Sequence, residues 1–256
     1  MNRLFDRFGR GFLRLFEQTG LWFRMLWRAM TWAVRPPFEV HEWLRQSVRL
    51  GVDSIPVVFL TAMFTGMVLA LQTYIGFQRV HAENFVGSVV ALAMLRELSP
   101  VLVGLMVTGR VGSSMAAEIG TMRVTEQIDA LKALATEPVQ YLFVPRIIAG
   151  IVMLPFLVIL GDALGIGGGY LVAVKLMGAN PFIYEHNTFQ FLQMKDIWSG
   201  AIKAAVFGLI LTHTGCVRGY YTSGGAEGVG RATTNAVVSA SLIILLSDFF
   251  LTKVLF

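Results

Sequence analysis

SIPVVFLTAMFTGMVLALQTYIGFQ, residues 54–78, runs for 25 positions without an Asp, Glu, Lys, Arg or His. A helix needs about 20 apolar residues to cross the hydrocarbon of a bilayer, and this stretch exceeds that length. The whole chain has the same character. Of its 256 residues, 55% are hydrophobic and only 14% charged, against about 25% charged in typical soluble domains. So few charges cannot cover a domain of this size, so its apolar surface must face something other than water. The same composition excludes intrinsic disorder. A single cysteine excludes a disulfide framework and any multi-cysteine zinc site.

Working outward from 54–78, four more stretches read as spans: about 84–109, 147–174, 197–217 and 232–255. The second is broken only by Arg96 and Glu97 and the third only by Asp162. The fourth carries Lys203 and His213, and the fifth Asp248 and Lys253. The fold class expected is therefore all-α integral membrane with five transmembrane helices. Basic residues in the flanks set the orientation. Segments 1–53, 110–146 and 218–231 hold fifteen of the 21 Lys and Arg residues, whereas the opposite side holds Arg79, Lys175, Lys195 and Lys253. The N-terminus is expected in the cytoplasm and the C-terminus outside. The net charge of +5 thus marks a membrane face, and nucleic acid is not an expected partner.

Residues 1–47 lack the uninterrupted apolar core of a signal peptide. Phe5, Phe8, Phe12, Leu15 and Phe16 recur at helical spacing, with Arg3, Arg7, Arg10 and Arg14 opposite and Trp22, Trp27 and Trp32 following. This predicts a basic amphipathic helix lying in the interface, ended by Pro36 and Pro37. Small residues spaced four apart, Ala62/Gly66/Ala70, Gly104/Thr108/Gly112 and Gly161/Gly165/Gly169, suit close helix packing in lipid. Segment 110–146 is too regular for a linker. Met122, Ile128, Leu131 and Leu134 form a short apolar stripe, which predicts an amphipathic helix over about 115–135. Two roles stay open for it: lying on the headgroups or docking into a cytoplasmic partner.

The stretch LRELSPVLVGLMVTGRVGSSMAAEIGTMRVTEQIDAL (95–131), with EPVQYLFVPR (137–146) and GAEGVGRATTNAVV (225–238), resembles the MlaE-type permeases. The resemblance covers roughly residues 45–256. Ser99 and Ala135 stand at or near positions where that family usually has glycine. The resemblance implies a permease domain over 48–256, working as a homodimer in the bacterial inner membrane. It would move phospholipid between inner and outer membranes through a periplasm-facing cavity. Uptake of sterols or other hydrophobic compounds is the alternative within the family, and a self-contained secondary carrier lies outside it. It further implies a non-catalytic subunit without its own cofactor. ATP and Mg would be bound by a separate cytoplasmic ATPase, in keeping with the lack of a Walker A motif here. A periplasmic ring of MCE-domain proteins and an accompanying STAS-domain subunit are the other implied partners. Segment 115–135 would be the coupling helix, with Glu118, Thr125, Glu126, Gln127 and Asp129 at the ATPase contact.

Arg96 lies ~18 Å along its helix from Asn84 at 1.5 Å per residue, near the bilayer middle. An ionised group there costs about 2.5–3.5 kcal/mol on insertion scales and needs a partner or a polar cavity. Arg96, Glu97 and Lys203 therefore either form an ion-pair network holding the bundle or line a cavity for a lipid headgroup. The family resemblance favours the cavity. Leu69 and Tyr74, late in the first span, are the candidate apolar wall, Tyr74 because an amphipathic ring suits the outer interface. Asp162 and Asp248 are expected to bond neighbouring helices. His213 and Cys216 are too few for a metal site.

Overall fold

A computed structural model describes the backbone of residues 2–36 and 39–256, and the side-chain surroundings of 16–36 and 39–256. Among the described residues there is no strand. The helices are α1 (Asn2–Ala33), α2 (Val40–Leu50), α3 (Ile55–Gln78), α4 (Glu83–Val124), α5 (Gln127–Ala133), α6 (Val139–Leu176), α7 (Pro181–Phe191), α8 (Met194–Tyr220) and α9 (Gly225–Leu255). Helices α3, α4, α6, α8 and α9 are each long and apolar enough to cross a membrane.

The starts of these helices follow local chemistry. Pro56 occupies the first turn of α3, where its missing N–H is no loss. Asn180 accepts hydrogen bonds from the backbone N–H groups of Phe182 and Ile183 and caps α7. Gln193 and Asp196 form a reciprocal capping box at the head of α8. That helix is the hub of the bundle, packing on α4, α6 and α9. Glycine permits the closest crossings. A Cβ on Gly66 of α3 would collide with the Gly165 backbone of α6, and Gly150 of α6 and Gly208 of α8 meet backbone to backbone. The small-residue faces read from the sequence are thus used for packing within one chain. On α9, Gly228, Ala232, Ala236, Ala240 and Ile244 face the bundle, while Val238, Leu242, Leu246, Phe249 and Phe250 face outward.

Two expectations are corrected. The helix that carries the second span does not stop near residue 109 but continues to Val124. Met115, Ala116 and Ile119 are buried on this extension, which packs against α8 and α9. Nor is 115–135 a single helix. The Thr125 hydroxyl bonds back to the Thr121 carbonyl at 2.8 Å, and Glu126 turns to φ 61. Helix α5 then restarts at Gln127. β-branched Val124 and Thr125 weaken the helix where it leaves the bundle. Of the predicted apolar stripe, Ile128 is buried and Met122 and Leu131 pack beside it, but Leu134 is exposed. Ala135 follows at φ 56, a left-handed conformation that glycine adopts without strain.

The arginine and phenylalanine pattern over residues 3–15 lies outside the described side chains. From Phe16 on, α1 is docked to the bundle. Trp22 Nε1 donates to Thr214 Oγ1 at 3.0 Å, His213 Nε2 lies 2.9 Å from the Trp22 carbonyl, and Arg28 pairs with Glu137 at 3.0 Å. Met25 and Ala29 are buried, whereas Phe23, Trp27 and Met30 are exposed.

Candidate functional site

Four ionisable residues of the spans, Arg96, Glu97, Lys203 and Asp248, converge on one place. Gly200 lets α8 approach α4 so closely that a Cβ there would lie 2.5 Å from the Leu95 carbonyl oxygen. One turn on, Lys203 enters the space between α4 and α9. Here α4 widens into a π turn over Met94–Leu98, a local distortion that often accompanies function. Lys203 has no exposed surface. Its ammonium donates to the Arg96 carbonyl at 2.9 Å, Glu97 Oε2 at 2.7 Å and Thr252 Oγ1 at 2.7 Å. These three bonds use all its protons. Asp248 Oδ1, 3.0 Å away, adds a charge contact without hydrogen-bond geometry. The Thr252 hydroxyl in turn lies 3.1 Å from Glu97 Oε1 and 2.8 Å from the Asp248 carbonyl.

Arg96 turns the other way. Its Nε donates to Asp196 Oδ1 at 2.8 Å, and its guanidinium lies over the Phe256 ring at 4.5 Å, with Lys195 on the same ring at 5.2 Å. Asp196 is fully buried and serves twice, since its Oδ2 accepts the Gln193 N–H of the capping box. Arg96, Glu97 and Lys203 therefore lie together, Lys203 paired with Glu97 and bonded to the Arg96 carbonyl, while the Arg96 side chain pairs with Asp196. The Arg96 and Glu97 side chains each keep 38% of their surface open, although Lys203 and Thr252 engage both Glu97 oxygens. In a bilayer such open charge needs water, a ligand or another protein surface against it. Lys203, with every donor engaged, can serve only by fixing Glu97.

Leu69 and Tyr74 belong elsewhere. Tyr74 is buried in an apolar cluster with Ala70, Val86, Val90, Met94 and Tyr184, and Leu69 packs against its edge. Burial against this cluster pushes the Tyr184 hydroxyl on α7 up to about 12. Asp162 is buried with its carboxyl against the Ser99 hydroxyl. Asp196 and Thr252 were missed from the sequence. The Gln193-x-x-Asp196 spacing at the head of α8 was the available signal for Asp196, whereas a threonine near the end of a span carries none.

The five residues expected at an ATPase contact divide. Glu118 faces its own chain, pairing with Arg49 at 3.3 Å and Arg146 at 3.0 Å. Thr125, Glu126, Gln127 and Asp129 are exposed around the turn into α5. Asp129 is held by Lys132 and Arg123, both at 2.9 Å. The hydrogen bond from Lys132, and then that from Arg123, holds the Asp129 carboxyl below the ordinary aspartate range. Together they make a small rigid knob with charge on its surface.

Comparison with known proteins gives a consistent result. A family model described as Permease MlaE matches residues 43–254. A Rickettsia typhi protein named "Probable ABC transporter permease protein" is 47% identical over 97% of this chain and 96% of its own. The intermembrane phospholipid transport system permease protein MlaE of Haemophilus influenzae is 39% identical over 83% of this chain and 82% of its own. The chloroplastic protein trigalactosyldiacylglycerol 1 of Arabidopsis thaliana is 40% identical over 83% of this chain and 61% of its own.

Proposed function

Because this chain belongs to the MlaE permease family, and so is a membrane permease subunit of an ABC transporter, we propose that its cargo is phospholipid and that the Arg96–Glu97–Lys203 region is where the headgroup passes. The observation that carries this reading is the half-open pair of charges on α4, locked from behind by a fully buried lysine. An ion-pair network serving stability alone has no need to leave the Arg96 and Glu97 side chains partly open within a span. The relative named for intermembrane phospholipid transport supports the cargo.

In this reading two copies bring their open α4 faces together, so that each covers the other's charge and a polar cavity forms between them. Arg96, with both terminal nitrogens clear of Asp196, binds phosphate oxygens. Glu97 orients the cationic part of the headgroup, and Lys203 holds Glu97 in place. Acyl chains lie on the apolar surface of α3 beside this face, with Leu69 in the wall and Tyr74 supporting it from within. The exposed turn at Thr125–Asp129 meets a cytoplasmic ATPase, which binds ATP and Mg and supplies the drive. An MCE-domain ring takes up or delivers the lipid on the periplasmic side, and a STAS-domain subunit attends the ATPase. The chain thus sits in the bacterial inner membrane with its N-terminus in the cytoplasm.

The test is ATP-driven transfer of labelled phospholipid by the chain reconstituted with its ATPase, with labelled glycolipid and sterol as competing cargo. Glu97→Gln keeps the side-chain shape and is expected to abolish transfer while the complex still assembles. Loss of assembly in Glu97→Gln reduces the network to a structural device. Lipid exchange by the chain alone, without ATP, marks a self-contained carrier. A sterol or glycolipid outcompeting phospholipid changes the cargo.

A further inference from the structure

A polar cavity of about 920 Å³ opens where α2 meets the head of α3 and the cytoplasmic extension of α4. Its walls carry Arg49, Asp53, Arg110 and Glu118, with Gln46 and the Ser114 and Thr121 hydroxyls between them. We propose that this cavity binds the headgroup of a zwitterionic phospholipid, a phosphate ester carrying an ammonium group, from the cytoplasmic leaflet. The proposal rests on the reading of the chain as a lipid permease with its N-terminus inside.

Depth is the first argument. Arg49 and Asp53 immediately precede the first span, and Arg110 and Glu118 lie where α4 leaves the second, so the cavity stands level with the inner-leaflet headgroups. Volume is the second, since it falls within the range of about 300–1,000 Å³ usual for small-molecule sites. The charge pattern is the third. Two guanidiniums face two carboxylates, but the matching inside the cavity is loose. Arg110 approaches Asp53 only to 3.9 Å and spends its closest contact, 2.8 Å, on the Ser54 hydroxyl. Glu118 is held more closely by Arg146 from behind than by Arg49. Arg49 and Arg110 keep 45% and 39% of their side-chain surface open, and Asp53 keeps 51%.

A phosphate between the two guanidiniums, with an ammonium on Asp53, would satisfy both signs at once. A purely anionic lipid or free phosphate would leave Asp53 facing negative charge, so the walls select against either. Val111, Met115 and Met122 supply the apolar part of the cavity wall.

The experiment uses the assembled complex in vesicles containing phosphatidylethanolamine with a photoreactive group at the head of an acyl chain, and parallel vesicles with the matching phosphatidylglycerol. Labelled peptides are mapped by mass spectrometry, and ATP-driven transfer is followed in the same vesicles. Peptides spanning 46–53 and 110–122 are expected to label at least about fivefold more from the zwitterionic probe, a preference of ~1 kcal/mol. Arg49→Gln/Arg110→Gln abolishes that labelling, and Arg49→Lys/Arg110→Lys retains part of it. Asp53→Asn, a change at an exposed and loosely paired residue, raises phosphatidylglycerol labelling until the preference falls below about twofold. Absence of label at these peptides, equal labelling by the two lipids, or an unchanged preference in Asp53→Asn overturns the proposal. So does displacement of the lipid by millimolar inorganic phosphate, which assigns the site to the free ion. Protection by the ATPase subunit, seen as label that appears only when it is omitted, assigns the surface to that subunit instead. Transfer without label at the cavity refutes this site and leaves the lipid-permease reading standing. Label without transfer does the reverse.

Discussion

The two ion clusters use the same chemistry in opposite ways. Between α4, α8 and α9, Lys203 has no exposed surface and gives three hydrogen bonds to α4 and α9 at 2.7–2.9 Å. Where α2 meets α3, Arg49 and Arg110 keep 45% and 39% of their surface open around a cavity. A buried charge with all its donors engaged acts as a fixed strut, because losing any partner leaves an uncompensated ion. Half-open charges with loose pairing cost little to re-pair, which suits contact with something that comes and goes. Charge count alone does not separate these roles; burial and the completeness of the hydrogen bonding do.

Breaking the strut tests the contrast most severely. Lys203→Met leaves Glu97 and Asp248 facing each other without their cation, and unfolding measured in detergent is expected to show a loss of about 3–5 kcal/mol. Neutralising the whole set, Lys203→Met with Glu97→Gln and Asp248→Asn, should recover most of that stability while lipid transfer stays absent. Transfer surviving in the neutral triple variant would mean that the charges serve only the fold. Asp196→Asn weakens both the Arg96 bond and the α8 cap, and a melting experiment should read a loss of about 1–2 kcal/mol.

The smallest effect belongs to the exposed knob. Asp129 titrates below its unfolded value, so its contribution is present above the ordinary aspartate range and fades as pH falls through the folded value. Asp129→Asn is therefore expected to speed local hydrogen exchange in α5 at neutral pH, with the difference from the unaltered chain vanishing in acid. Global stability should not move.

The spans were readable because hydrocarbon imposes a length and a composition that no soluble helix needs. All five appear, and the 25 uncharged residues at 54–78 map onto α3 with a shift of one residue at its start. The end of the helix that carries the second span was not readable. Residues 110–124 carry enough polar groups to resemble a loop, yet Met115, Ala116 and Ile119 pack against α8 and α9, contacts between segments about a hundred residues apart in the chain. The break at Glu126 depends on a left-handed residue that no glycine announces. The meeting of Arg96, Glu97 and Lys203 could be anticipated from the scarcity of charge in the spans. Asp248, singled out as a charge within the fifth span, does reach a neighbouring helix at Lys203. That Thr252 would complete the seal could not be anticipated, because a threonine on a mostly apolar helix has no pattern that sets it apart. Tyr74 shows the opposite difficulty. An aromatic near a span end suggests lipid contact, but neighbouring Ala70 and the α4 valines enclose it.

The central claim is that the half-open pair on α4 handles lipid while Lys203 holds it in place. ATP-driven transfer of labelled phospholipid by the reconstituted complex, compared between the unaltered chain and Glu97→Gln, tests it most directly. The account predicts a Glu97→Gln complex that is less stable but still assembles, with Asp248 left as the carboxylate partner of Lys203, and in which transfer is lost. Transfer at an unaltered rate in that complex would contradict it.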